Sequence, residues 1–164
     1  MLLNINKMKF IYVLLTVSVI GILILMYKSG VLDSGNFKYK QATVTIRGER
    51  FGVDVADNMA SRELGLGGRE NLAADRGMFF VFNSLAERTF WMKNVGFSID
   101  IIWIAGNKVV GFEENAVPHK SESLTKISRY KSPEAVDRVL EVAAGTVKRV
   151  GIVVGDDVTV NFGD

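Results

Sequence analysis

The chain has 164 residues and no cysteine, and its formal net charge is +2. This length suits one domain with an appendage, because domains commonly contain roughly 100 to 150 residues. The lack of cysteine excludes disulfides, thiolate metal sites and a cysteine nucleophile. Residues 1–41 hold five basic residues against one acidic residue, whereas residues 42–164 hold 15 against 17. The positive charge therefore lies outside the main part of the chain, and a partnership with nucleic acid is not expected.

The first predicted element is an uncharged apolar segment at residues 10–26. As a helix it would be about 25 Å long, slightly short of the roughly 30 Å hydrocarbon core, and flanking lysines and tyrosines can reach the headgroups. A cleaved signal peptide is the alternative. The length of the run and the lack of a small-x-small site at Met26-Tyr27-Lys28 argue against cleavage. We predict a transmembrane anchor at residues 10–27 after a cytoplasmic stub at residues 1–9.

The orientation of this anchor is not decided by the positive-inside count, because lysines occur on both sides. A short N-terminal stub with Lys7 and Lys9 is easily retained in the cytoplasm, which would place the rest of the chain outside. We therefore predict a single-pass protein of the cell membrane with an extracytoplasmic domain. Residues 28–41 show no apolar period and are predicted to be a linker.

Residues 42–164 are predicted to form one globular domain that begins with a hairpin and a short helix. Apolar residues alternate with polar ones on both sides of a turn at residues 47–50, as in a β-hairpin. Residues 58–66 begin with the capping residue Asn58 and have apolar residues near helical spacing. The glycines that follow Leu64 end this helix.

Further strands are predicted from short apolar runs at residues 77–82, 90–92, 99–105, 108–112, 136–142 and 158–162. A polar stretch at residues 118–131 predicts a long exposed loop. Gly145 and Thr146 begin a second short helix that ends at Gly151. These elements predict an α+β fold class, with a β-rich curled sheet or partly closed barrel and two short helices, preceded by one transmembrane helix.

The most unusual motif is Phe-Trp-Met-Lys-Asn at residues 90–94. Five other motifs keep a fixed order around it, namely Gly-Leu with an arginine at 65–69, the apolar run at 77–82, Asp-Ile at 100–101, Val-Leu-Glu at 139–141 and, near the end, Gly-Asp at 155–156. Over about residues 42–164 the chain thus resembles the uncharacterised family catalogued as domain of unknown function 192.

This resemblance implies a compact β-rich fold but no particular activity, because the family has no agreed reaction. The chain departs from the family pattern at two places. Gly67 stands where relatives usually have methionine, and Ser98-Ile99-Asp100 replaces the usual Pro-Leu-Asp. If the methionine lines a pocket in relatives, the pocket of this chain should differ.

Five side chains are candidates for a ligand-binding cleft: Arg69, Trp91, Lys93, Asn94 and Asp100. Trp91 offers a flat apolar face, Lys93 a cation and Asp100 an anion, so a polar ligand could stack on the ring and bind the charges. A structural interpretation fits the same residues. Trp91 would be core, Asn94 would hold a left-handed turn, and Asp100 would accept backbone N–H groups or pair with Arg69.

Catalytic signals are weaker. His119, the only histidine, lies in the predicted polar loop and is most simply solvated. Asp100 with Glu113 or Glu114 could form an acid/base pair, but the two adjacent glutamates point to opposite faces of a strand. No catalytic residue, metal site or cofactor is predicted, because there is no His/Cys cluster and the glycines near residue 65 lack the residues of a phosphate loop.

These patterns favour a membrane-tethered, non-enzymatic module that binds a small polar ligand, an envelope polymer or a partner protein. A hydrolase using Asp100 with Glu113 or Glu114 is one alternative. A structural envelope protein is the other.

Overall fold

The structure is a computed structural model that describes residues 39–118 and 128–163, together with residues 12, 18 and 20–22. The chain divides into two compact units, Met1–Lys38 and Tyr39–Asp164. In the first unit, the described residues are helical. Among all described residues, no helix is both long and apolar enough to cross a membrane. Most of the predicted anchor at residues 10–27 lies outside the described residues, so the anchor stays a prediction.

The second unit is β-rich, as the sequence predicts. Its elements in chain order are β1 (Lys40–Ile46), β2 (Glu49–Ala56), α1 (Met59–Leu64), β3 (Arg76–Ala86), β4 (Thr89–Trp91), β5 (Ile99–Ala105), β6 (Lys108–Ala116), β7 (Arg129–Lys131), β8 (Val136–Ala143), α2 (Thr146–Val150) and β9 (Val158–Phe162). Seven strands form one sheet in the order β6-β5-β8-β3-β2-β1-β9, and β4 pairs with β7 in a second, two-stranded sheet. The large sheet is not closed, although Lys108 at the start of β6 bridges to Asp157, just before β9.

The predicted hairpin and first helix are confirmed. Arg47 and Gly48 turn the chain between β1 and β2 with φ of 51° and 82°, the left-handed values that a tight hairpin requires. At α1, the Asn58 side chain accepts the Ser61 N–H at 3.0 Å and the Ser61 hydroxyl accepts the Asn58 N–H at 3.1 Å. This capping box satisfies N–H groups that the first helical turn leaves open. The helix links β2 to β3, which run parallel.

Two apolar clusters form the core, and alternation along the strands sends successive side chains to one or the other. The first cluster includes Phe51, Phe79 and Leu140. The second includes Met78, Phe80, Met92, Ile101 and Trp103, with α1's following loop contributing Leu66. The second cluster is the one that leads to the candidate site.

Several boundaries differ from the prediction. β1 begins at Lys40, inside the predicted linker, and β6 continues to Ala116. β7 lies within the predicted loop at residues 118–131, because its three residues gain their strand conformation by pairing with β4, where Tyr130 faces Phe90. Residues 119–127, which include His119, lie outside the described residues.

Candidate functional site

A pocket of about 390 Å³ opens beside the Phe-Trp-Met-Lys-Asn segment. It lies between α1, the loop that follows it, β3, β4 and one residue of β8. Most of its wall is apolar or aromatic, and its polar members are Arg62, Glu63, Thr89, Lys93 and Glu141. This volume falls within the range of about 300 to 1,000 Å³ that small-molecule sites occupy.

The aromatic wall is organised around Phe90 of β4. Its ring meets Phe80 edge to face with centroids 4.8 Å apart, and it meets Trp103 in the same way at 5.5 Å. Such edge-to-face pairs are the favoured arrangement of aromatic rings. They fix the short strand β4 on the second core cluster and so position the next residue, Trp91, at the pocket.

Trp91 and Lys93 both line this pocket, as the ligand-site hypothesis requires. Trp91 is 43% exposed, so its interpretation as a core residue is wrong, and Trp103 is the buried tryptophan. The Lys93 ammonium lies 5.3 Å from the centre of the Trp91 ring. A cation over an indole face is attracted by the negative potential of the ring. The two side chains therefore form one wall with an apolar surface and a positive charge.

Asn94 does not line the pocket but shapes the turn beside it. Its φ of 59° confirms the predicted left-handed conformation, and its carbonyl accepts the Gly68 N–H at 3.0 Å. Gly67 packs tightly in the same place, where a Cβ would lie 2.8 Å from the Leu64 carbonyl oxygen and 3.5 Å from that of Lys93. The glycine that replaces the family's methionine thus packs against backbone atoms and is not among the pocket-lining residues.

Arg69 is bound to a carboxylate that sequence reasoning did not identify. Its Nη2 lies 2.5 Å from Oδ2 of Asp54, and the other oxygen of Asp54 accepts a hydrogen bond from Gln41 at 2.5 Å. Arg76 adds a longer contact of 3.8 Å to Asp54. The predicted pairing of Arg69 with Asp100 is therefore wrong, and Arg69 is not among the residues that line the pocket.

Asp100 is fully buried and acts as an internal anchor. One carboxylate oxygen accepts the N–H of Asn115 at 2.8 Å and of Gly145 at 3.1 Å, and the other accepts the N–H of Val147 at 2.8 Å. These bonds tie the start of α2 to β5 and β6. The structural interpretation of Asp100 is confirmed, and the structure does not bring this residue into the pocket.

The proposed acid/base pair gains no support from this geometry. Glu113 pairs across the sheet with Ile101, so it points to the face opposite that of Asp100. Glu114 is exposed. In the part of the chain that the structure describes, no three His, Asp or Glu side chains are grouped so as to hold a metal ion.

Glu141 of β8 is the buried polar residue of the pocket lining; it belongs to the Val-Leu-Glu motif but was not among the predicted site residues. The residue is only 5% exposed yet lines the pocket, and its neighbours across the sheet are Met78 and Ile101. Burial raises the pKa of its carboxyl to about 8, against a smaller opposing effect of the Arg69 charge. No hydrogen-bond partner for this side chain occurs among the described residues. The available signal was a lone glutamate between the apolar residues Leu140 and Val142.

The carboxylates of Asp54 and Glu141 lie on the same face of the sheet, on strands that both pair with β3. Asp54 pairs with Met78, and Met78 pairs with Glu141, so all three side chains point to the same face. Two strand spacings separate the outer pair by about 10 Å. Arg69 binds Asp54, and its charge opposes part of the rise that burial causes in the pKa of Glu141. The guanidinium thus neutralises one carboxylate and leaves the other without a bonded cation.

Comparison with known proteins places these features in a family. Residues 42–160 match the family model described as "Uncharacterized ACR", domain of unknown function 192. A crystal structure from Sinorhizobium meliloti 1021, provisionally described as a transcription regulator, is similar with a TM-score of 0.69 and 36% identity, covering 76% of this chain and 97% of that one. A protein of unknown function from Novosphingobium aromaticivorans has a TM-score of 0.64 and 29% identity, covering 77% of this chain and 88% of that one. No curated protein matches significantly.

Proposed function

We propose that this chain, which belongs to the uncharacterised family of domain of unknown function 192, is a non-enzymatic binding module that takes a small organic ligand into the pocket beside Trp91. The observation that carries the proposal is Glu141, a buried carboxyl that lines an otherwise largely apolar pocket and lacks a hydrogen-bond partner among the described residues. A buried polar group without a partner costs about 1 to 3 kcal/mol. A ligand that satisfies this carboxyl recovers that free energy on binding.

The shape of the pocket supports a ligand with an apolar body. Phe80, Phe90 and Trp91 offer ring surfaces, while Lys93 supplies a charge beside Trp91. A few polar groups within an apolar wall are typical of small-molecule sites, because the wall supplies affinity and the polar groups fix orientation. Among the five side chains expected at the cleft, Trp91 and Lys93 would contact the ligand, and Arg69 would act through the effect of its charge on Glu141.

The membrane tether is part of the same proposal. The uncharged apolar run at residues 10–26 supports an anchor, with the binding domain held outside the cytoplasm on a linker. A role in transcription, the description carried by the Sinorhizobium relative, has little electrostatic support here. Residues 42–164 hold 15 basic and 17 acidic residues, whereas DNA-binding domains concentrate positive charge.

A fragment screen tests this function. The full chain, purified in a mild detergent, would be screened against small cyclic and aromatic compounds by saturation-transfer difference NMR. We expect hits that disappear in the double variant Trp91→Ala, Lys93→Ala. The matched control is Lys148→Ala, Phe162→Ala, which removes an exposed lysine and an exposed aromatic residue away from the pocket lining and should keep every hit.

A second variant distinguishes loss of the pocket from loss of the fold. Thr89 is exposed and lines the pocket, so Thr89→Trp should occlude it, whereas Thr159→Trp on the exposed surface of β9 should not. Circular dichroism would check that all variants fold. Hits that survive both Thr89→Trp and the double variant, or a screen without hits, would show that the pocket is not a binding site.

A further inference from the structure

The buried carboxyl of Glu141 in the pocket lining specifies the ligand further. Resting on the proposed binding function, we infer that the pocket takes a primary or secondary organic amine in its ammonium form. The N–H groups of the ammonium donate to the Glu141 carboxylate, and the apolar substituent lies against Phe80 and Phe90. Ligand binding thereby exchanges a proton on Glu141 for the ammonium group.

The first argument is the lack of a bonded cation at Glu141. The positive charge that acts on the pKa of Glu141 is that of Arg69, and the short contact of that guanidinium is to Asp54 at 2.5 Å. The sheet neighbours of Glu141, Met78 and Ile101, are apolar and contribute no charge. A carboxylate in such a place is strongly stabilised by a cation that reaches it with good hydrogen-bond geometry.

The second argument is that the walls already hold cations on aromatic rings. The guanidinium of Arg62 lies 5.1 Å from the centre of the Phe82 ring, and the ammonium of Lys93 lies 5.3 Å from that of Trp91. Aromatic faces attract cations, and more strongly where water is excluded. The rings of Phe80 and Phe90, which line the same pocket as Glu141, therefore suit the positively charged end of an amine as well as its apolar part.

Charge balance favours the exchange of a proton for an ammonium. The charged residues that line the pocket are Arg62 and Lys93, which are positive, and Glu63 and Glu141, which are acidic. With Glu141 protonated, the lining carries a net charge of +1, from two positive groups and one ionised carboxylate. With Glu141 ionised and an ammonium bound, the total is the same. Entry of the ligand therefore adds no net charge to the pocket.

The exchange predicts a specific dependence on pH. Burial raises the pKa of Glu141 to about 8, so the carboxyl is largely protonated at neutral pH and must release its proton when an ammonium binds. The charge of Arg69 opposes the rise in the pKa of Glu141, but Arg69 is itself paired with Asp54. The other charged residues that line the pocket are Arg62, Glu63 and Lys93. Affinity for an ammonium should rise by about tenfold per pH unit below this pKa.

Two probes of nearly equal size test the inference: benzylamine, which is an ammonium ion in this pH range, and benzyl alcohol, which is neutral. Isothermal titration calorimetry on the full chain in detergent, at pH 7 in two buffers of different ionisation enthalpy, measures protons released on binding. We expect about one proton per benzylamine and none for benzyl alcohol. Glu141→Gln should abolish the release and weaken benzylamine at least about tenfold, while benzyl alcohol keeps its affinity.

The outcomes separate the inference from the binding function. Benzyl alcohol binding as tightly as benzylamine, or benzylamine binding without proton release, would overturn the inference and leave the pocket as a binding site. If neither probe binds, the ammonium inference also fails, and the fragment screen with its pocket variants decides on the binding function separately. The proton count is made on the unsubstituted chain, so it stands even if Glu141→Gln does not fold.

Discussion

Two buried carboxyl groups in the domain have opposite surroundings. Asp100 accepts three backbone N–H groups, from Asn115, Gly145 and Val147. Glu141 has no hydrogen-bond partner among the described residues and lines the pocket. The first arrangement satisfies a buried carboxyl inside the fold, whereas the second leaves a group that a ligand can satisfy. This contrast distinguishes Asp100, which has a structural role, from Glu141, the candidate ligand-binding residue.

The role of Asp100 predicts a large loss of stability on truncation. Asp100→Ala should lower the free energy of unfolding by roughly 3 kcal/mol or more, because three buried N–H groups lose their acceptor. Urea unfolding followed by circular dichroism measures this change. Asp157→Ala is the control, since Asp157 pairs with Lys108 at the exposed surface and its loss should change stability by less than about 1 kcal/mol. Equal effects of the two substitutions would contradict the role of Asp100.

The raised pKa of Glu141 predicts how stability depends on pH. A carboxyl whose pKa is about 8 in the folded chain and 4.5 in the unfolded chain binds more protons when folded between these values. Its contribution is therefore intact below about pH 4.5 and is lost as pH rises towards 8. One pKa unit corresponds to about 1.36 kcal/mol, so the full loss is a few kcal/mol.

Urea unfolding at intervals from pH 5 to pH 9 measures this loss. Glu141→Gln should flatten the decline and make the variant the more stable protein at pH 9. Glu63→Gln alters an exposed glutamate of the same pocket and should keep the decline. A Glu141→Gln variant with the slope of the unsubstituted chain would show that this carboxyl is not the source.

The helices and strands that the sequence predicts are those whose signals are local in the chain. Asn58 predicts the start of α1, because its capping interaction is made within four residues. The alternation of apolar and polar residues on both sides of residues 47–50 predicts the hairpin, whose turn has the left-handed φ values expected. β7 was not predictable, because its three residues form a strand only against β4. The pocket depends on the same kind of distant contact, since β4 is fixed by Phe80 and Trp103.

The capping box of α1 is itself open to test, and α1 forms part of the pocket wall. Asn58→Ala removes the acceptor for the Ser61 N–H and should lower the free energy of unfolding by about 1 kcal/mol. Asn71→Ala is the matched control, because Asn71 is exposed and has no hydrogen-bond partner in the described part of the chain. A thermal or urea unfolding series compares the two. No loss of stability in Asn58→Ala would show that the cap contributes little.

For the whole molecule, the strand patterns and the family resemblance predict the β-rich class but not the complete site. The family motifs identified Trp91 and Lys93, which do line the pocket. The sequence leaves Asp100 open between the cleft and a structural role, because its partners Gly145 and Val147 lie more than 40 residues away in sequence. Glu141 was missed because a single glutamate in a strand does not reveal which side of the sheet it faces or what covers it. Only the pairing of β8 with β3 and β5 does so.

The predicted transmembrane anchor determines where the whole molecule is located in the cell. When expressed in bacteria, the full chain should sediment with membranes, resist an alkaline carbonate wash and be released by detergent, because residues 10–27 would be held in the hydrocarbon core. A chain lacking residues 1–38 should appear in the soluble fraction. Release of the full chain by carbonate alone would contradict a transmembrane anchor.

The central claim, that Glu141 is an unpartnered carboxyl of a ligand pocket, is tested most directly by the carboxyl ¹³C NMR signal of Glu141, titrated with and without benzylamine. The signal would be assigned by its loss in Glu141→Gln. We predict a titration midpoint of about 8 in the unliganded chain and a lower midpoint when the ammonium is bound. A midpoint near the ordinary value of 4.5, or one that benzylamine does not change, would contradict the account.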